Sequence, residues 1–150
     1  MAHASTVILS SRSLMKSVVF DTNVLLDIFV FYDFRAIHLK EALLNQTLDA
    51  LASEQTLEEL TEVIARPLFS LSQSEQKRIV LEWRSLARIM KDEDIVNAPW
   101  ECHDKDDQVF LDLAFTAKPC VLISKDHEVL KLASRAAKEG VVITADYKAL

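Results

Sequence analysis

The acids with the spacing to do chemistry lie in four places along the chain: Asp21, Glu58-Glu59, the run Asp104, Asp106 and Asp107, and Asp126. Asp21 directly follows the β-branched and aromatic run Val18-Val19-Phe20, and Asp126 follows Val121-Leu122-Ile123 after two intervening residues. In open parallel sheets ligands sit beyond the carboxyl ends of the strands, near the point where strand order reverses. A fold that sets these two strands side by side therefore brings both carboxylates to one rim. Two carboxylates about 4 Å apart repel by about 4 kcal/mol at an effective dielectric near 20, so several converging acids need protons or cations. Oxygen donors without paired His or Cys suit hard Mg2+ or Mn2+ better than zinc. Such ions polarise a phosphodiester, lower the pKa of an attacking water and steady the departing oxygen.

Each acid also has an ordinary reading. Asp21 and Asp126 serve equally well as helix or turn caps. Asp107, at about 100° per residue, shares a helix face with Phe110, Leu111 and Ala114 and points coreward at a helix start; the alternative is that it satisfies free amides and the helix dipole there. Asp104 and Asp106 precede it as loop or cap groups, with Asp104 also open to joining a metal shell, and Asp112 is rotated toward solvent. Glu59 stacks beside Val63 at the edge of the stripe Leu57, Leu60 and Ile64, whereas Glu62 points away, so rotation favours Glu59 by a small margin. Taken alone, a surface glutamate is the ordinary reading. Arg35, Lys105, Lys125 and His127 are candidates for phosphate contacts or are solvated loop cations. His3, His38 and His103 lack partners at ligand spacing, and nothing near Cys102-His103 orients a nucleophile. Trp83 and Trp100 read as packing residues.

The elements that must position these acids follow from periodicity. Strands are expected at 18–20, 48–52, 95–96, 121–123 and 141–143, and helices at 24–31, 36–46, 55–65, 74–91, 107–118 and 129–138. Thr22-Asn23 supply capping chemistry for the first helix, Ser74 is a possible cap for the fourth, and Arg66-Pro67 stops the third. Gly140, the only glycine, stands where a left-handed cap closes the last helix. Continuous apolar strands alternating with helices predict a single α/β domain, a doubly wound, mostly parallel sheet flanked by helices on both faces. Residues 1–16 are Ser-rich and free of acids and read as a flexible leader; the domain spans 17–150.

Composition narrows the partners. The 150 residues are half apolar, enough for one sizeable core. Seventeen Lys and Arg against 23 Asp and Glu give a net charge of -6, which excludes general nucleic-acid binding by counterion release and makes any such contact local or metal-assisted. No apolar stretch approaches the roughly 18 residues of a membrane span, and the run Val7 to Leu9 is too short for a signal peptide. Two cysteines at unpaired spacing fit a reducing, cytoplasmic location.

Phe20-Asp21-Thr22-Asn23, Thr56-Leu57-Glu58-Glu59-Leu60, Asp104-Lys105-Asp106-Asp107 leading into Phe110-Leu111, and Ser124-Lys125-Asp126 together resemble the PIN-domain family in order and separation, over roughly Lys16 to Leu150. Arg66-Pro67 followed by Phe69 resembles the subgroup of toxin components of toxin-antitoxin pairs. The resemblance implies a PIN-like, Rossmann-like three-layer fold and a metal-dependent ribonuclease, a hydrolase of phosphodiester bonds that uses Mg2+ or Mn2+. It makes Asp21, Glu59, Asp107 and Asp126 the catalytic acids and metal ligands, with Asp104 as the lesser alternative for the third. Asn23 becomes the polar support of Asp21, Thr22 a local cap, and Ser124 a hydrogen-bonding support. It further implies an RNA substrate, a cognate antitoxin protein and a homodimer. An RNA-processing or quality-control nuclease of the same fold is the near alternative, and a catalytically silent metal-binding interaction module a more distant one. A phosphoacceptor domain wants paired acids at the first strand, where Phe20 precedes Asp21, and an aspartyl phosphatase wants an Asp where Asn23 stands.

Overall fold

The computed structural model describes residues 15–150. The expected leader therefore lies outside the described residues except at Met15 and Lys16, and Lys16 already begins the first strand. Five parallel strands, β1 (Lys16–Phe20), β2 (Leu48–Ala52), β3 (Arg88–Ile89), β4 (Cys120–Ile123) and β5 (Val141–Thr144), lie in the order β3-β2-β1-β4-β5. The chain thus winds outward from β1 on one side, returns, and winds outward from β4 on the other. The reversal falls between β1 and β4, where Phe20 pairs with Ile123. The Asp21 amide donates to the Ile123 carbonyl at 3.1 Å, so Asp21 and Ser124 leave the sheet side by side.

The helices are α1 (Thr22–Phe29), α2 (Ile37–Leu44), α3 (Glu54–Ile64), α4 (Gln73–Leu86), α5 (Lys105–Thr116), α6 (His127–Leu130) and α7 (Ala133–Ala137). Strand residues alternate between two cores. Val18, Phe20, Ala50 and Ala52 pack with Leu25 of α1, Leu39 of α2, Leu60 of α3 and Trp83 of α4. Val19, Leu51, Leu122 and Val141 pack with Phe110 and Leu113 of α5 and Ala136 of α7. A sheet covered on both faces needs apolar residues at every position, which is why its strands read as continuous apolar runs. Trp83 packs against Phe20 and Phe29 at ring separations of 6.1 and 5.9 Å, and Trp100 meets Phe115 edge-on at 5.5 Å, so both tryptophans are packing residues. Gly140 adopts φ +86° between α7 and β5, a conformation that costs a side-chain-bearing residue a steric clash.

Several local expectations are corrected. The third strand is Arg88–Ile89, not 95–96, and α4 stops at Leu86 rather than continuing to 91. Its periodic apolar residues are captured by β2: the Met90 amide donates to the Ala52 carbonyl at 2.8 Å, and Arg88 grips Asp49 through bonds of 3.0 and 2.7 Å. Ser72, not Ser74, caps α4, in a reciprocal capping box with Glu75. Asp21 itself, rather than Thr22 or Asn23, caps α1, and α1 ends at Phe29. The last predicted helix is two short ones separated by Lys131 and Leu132. Asp112 does not face solvent: half-buried, it accepts from the Ala98 amide at 2.8 Å and from Gln108 Nε2 at 3.0 Å, stapling the loop that leads into α5. Among the described residues, no helix is long and apolar enough to cross a membrane.

Candidate functional site

The flush ends of β1 and β4 set the site. Asp21 is buried, and its two oxygens are held differently: Oδ1 accepts from the Val24 amide at 2.9 Å, while Oδ2 accepts from Ser124 Oγ at 2.6 Å and the Lys125 amide at 3.3 Å. The capping and the site-forming readings of Asp21 are therefore compatible, because one carboxylate has lone pairs enough for both. Ser124, fully buried, also accepts from the Asp126 amide at 3.1 Å, so one hydroxyl orients the acid after β1 and the turn carrying the acid after β4. Asp126 in turn caps α6 through the Glu128 amide at 2.8 Å.

The other two acids arrive on helices, Glu59 midway along α3 and Asp107 in the first turn of α5. Ser53 at the end of β2 forms a capping box with Thr56, which fixes the entry angle of α3. That rotation leaves Glu58 and Glu62 exposed and turns Glu59 half-inward, where Thr22 Oγ1 donates to Glu59 Oε2 at 2.6 Å. Thr22 thus braces the second acid rather than capping its own helix. Asn23 is exposed, and among the described residues its side chain makes no hydrogen bond to Asp21. At the start of α5 Asp104 is the cap, accepting from the Asp106 amide at 2.9 Å, and Gln108 ties the preceding loop through the Cys102 amide and the Trp100 carbonyl. Asp107, in the first turn of the helix, is half-buried and faces Asp126, the acid that follows β4.

These carboxylates feel one another. Asp107 is pushed up to about 7, first by burial and then by the charges of Asp126 and Asp104, a hydrogen bond with Asp126 and the charge of Asp21. Glu59 is raised by burial, opposed by its bond from Thr22, and raised further by Asp106, Asp104 and Asp21. Burial also raises Asp21, against the bonds from Ser124, Val24 and Lys125 that favour its charged form. The cluster is therefore a crowd of negative charge short of cations. The Cys102 thiol is pushed up by burial and by Asp107, Asp126 and Asp104, the opposite of an activated nucleophile.

The donors are all carboxylate or hydroxyl oxygens, the chemistry of a hard divalent cation. Asp21, Asp107, Asp126 and Glu59 are the residues that would hold one, with Asp104 adjacent. Among the described residues, no three acids, histidines or cysteines close to metal-ligating geometry. The raised pKa values are what such a donor set shows when its charge is uncompensated, so the residues fit the ion in chemistry.

Two participants escape a reading of motifs. Asp27, buried in α1, accepts from Tyr147 Oη at 2.5 Å and from Lys125 Nζ at 2.8 Å. Lys125 thus holds Asp21 with its backbone and Asp27 with its side chain, tying the site to the C-terminal turn. The sequence does carry a signal for Asp27, as the one charge inside the apolar run from Val24 to Phe31; Tyr147 carries none. Of the proposed phosphate contacts, Lys125 is paired with Asp27 and Arg35 with Asp33, while Lys105 and His127 are exposed.

A doubly wound parallel sheet whose carboxylates gather at the strand-order reversal defines the class of protein: an α/β domain with an acidic rim. The chain belongs to the PIN-domain family, whose model matches residues 17–128. None of the curated proteins matches it in sequence. Among solved structures it is similar to VapBC2 from Rickettsia felis, crystallised bound to a DNA fragment from their promoter, with 12% identity, a TM-score of 0.53, and coverage of 85% of this chain and 96% of that one. At that identity the likeness is one of fold.

Proposed function

We propose that this protein is a divalent-metal-dependent endoribonuclease and the toxin of a toxin-antitoxin pair. The observation that carries the reading is the convergence of Asp21, Glu59, Asp107 and Asp126 from four separate elements on one rim, with Asp107 pushed up to about 7 by its surroundings. Helix capping accounts for Asp21 and Asp126 one at a time, but not for Glu59 and Asp107 gathering beside them, which a metal-binding hydrolase requires. The similarity of fold to VapBC2 supports the toxin role and a small antitoxin protein as partner.

In this reading Asp21 is the most rigid donor, held by Ser124 and the Val24 amide, and Glu59 is steadied by Thr22. Asp107 holds its proton beside Asp126 while no cation is present, and a bound cation would favour its ionised form. Bound Mg2+ or Mn2+ supplies the positive charge that steadies the attacking and departing oxygens of the phosphodiester. With the cation bound, Asp107 would be ionised and serve as one of its carboxylate donors. The protein acts in the cytoplasm as a homodimer, which light scattering at two concentrations checks; a concentration-independent monomer refutes that part.

The test is cleavage of a mixed structured RNA by purified protein with Mn2+ or Mg2+, against EDTA and an Asp21→Asn control. Asp21→Asn keeps an acceptor for the Val24 amide at the loss of the longer bond from the Lys125 amide; it abolishes cutting, and circular dichroism checks that the fold is retained. Metal binding without cleavage of any RNA would instead favour the silent interaction module.

A further inference from the structure

Beside the acidic rim lies a groove of about 490 Å3 whose walls carry Phe34, Arg35, His38, Lys125, Tyr147 and Lys148. The opposite flank of the rim differs in charge: the cleft there is lined by Glu58, Glu59, Glu62 and Asp106 with no lysine or arginine. A polyanion approaching from that side meets only negative charge. From the groove it meets an aromatic ring, Lys148, and the cations Arg35 and Lys125, which are already paired with Asp33 and Asp27 but, unlike the acids of the other flank, still present N–H donors.

The groove is built rather than incidental. Arg35 is oriented by a two-pronged pair with Asp33, at 3.0 and 2.7 Å, and lies 5.9 Å from the centre of the Tyr147 ring. His38 Nε2 sits 2.7 Å from the Tyr147 carbonyl, which joins α2 to the C-terminal turn across the groove floor. The carboxylate of Asp146, also on the wall, is occupied in capping that turn through the Lys148 amide at 2.9 Å. Phe34 is 80% exposed, so its ring is open to be covered by a planar group. Lys125 makes the groove continuous with the acids: its backbone binds Asp21, and its side chain, lining the groove, ends on buried Asp27.

We propose that this groove holds single-stranded RNA as it runs into the acidic rim, with phosphates on Lys148, Arg35 and Lys125 and a base stacked on Phe34. The inference rests on the ribonuclease reading above. Cations along a groove with an aromatic platform are the chemistry that binds single strands without sequence preference, and they explain how a chain of net charge -6 receives a polyanion.

The experiment is fluorescence anisotropy of a labelled, mixed-sequence, 12-nucleotide single-stranded RNA with the full chain in EDTA, where no cleavage interferes. Phe34→Ala weakens binding about tenfold or more and Phe34→Trp retains it. Lys148→Ala weakens binding and lowers the slope of log affinity against log salt by about 0.7, the loss of one phosphate contact. Leu81→Ala, an exposed apolar residue of α4 outside the groove, changes nothing. Wild-type affinity and salt slope in both groove variants would overturn the proposal. So would a wild-type protein that cleaves RNA with metal yet does not bind it in EDTA, because these contacts need no metal; the ribonuclease reading survives both results. A wild-type protein that neither binds nor cleaves RNA rejects both readings together.

Discussion

Replacing Asp107 with Asn removes the carboxylate that its neighbours resist most, so the metal-free protein should gain stability as it loses activity. A rise from 3.8 to about 7 corresponds to about 4 kcal/mol of penalty on the ionised form. Asp107 is only half-buried, so solvent screening reduces the realised penalty to about 1–2 kcal/mol. The sign follows from proton uptake. Between pH 4 and 7 the folded state keeps the Asp107 proton that the unfolded state has released, so wild-type stability falls as pH rises through that window and levels off above it. Asp107→Asn has no such loss. Its advantage is absent near pH 3.5, grows to pH 7, and at pH 8 moves the urea midpoint up by roughly 0.5–1 M at unchanged slope. Saturating Mn2+, at about 100 times its dissociation constant, should stabilise the wild type by about 2.7 kcal/mol and the variant by less, inverting the order. The assay is urea unfolding at pH 4, 6 and 8 in EDTA and in Mn2+. An Asn protein no more stable than wild type at pH 8 in EDTA, or an advantage independent of pH, would refute the claim that these acids press on one another.

Two further outcomes follow from the same geometry. Thr22→Val removes the only side-chain donor to Glu59 among the described residues while keeping its shape; single-turnover cleavage should slow about tenfold, the worth of one charge-assisted bond, with folding little changed, and an unchanged rate would remove Glu59 bracing from the mechanism. Tyr147→Phe leaves Asp27 with Lys125 alone among the described residues and should cost about 1.5–3 kcal/mol by urea unfolding. The Tyr147 phenol is pushed up by burial and by Asp27, so that cost should be the same at pH 6 and pH 9; a loss that varies across this range would contradict it.

Local pattern was sufficient wherever an element's partners are generic. The apolar runs at Val18-Val19-Phe20 and Val121-Leu122-Ile123 are buried on both faces, so any sheet with two covered sides accepts them, and their ends place Asp21 and Asp126. The stripe Leu57, Leu60 and Ile64 sets the rotation of α3 and with it the half-inward turn of Glu59. What depended on a distant partner was not legible. Ile89 fits the helical period of α4, yet it pairs with Ala52, because edge pairing with β2 outweighs one more helical turn. Thr22 reads as a cap, since nothing in the sequence announces that Glu59, 37 residues on, is its acceptor. Asp27 reads as a break in an apolar run until Lys125 and Tyr147, 98 and 120 residues away, close around it. Periodicity records which face of an element avoids water; only the packed structure decides which polar groups then meet, because each such pair joins segments whose spacing along the chain carries no record of their contact.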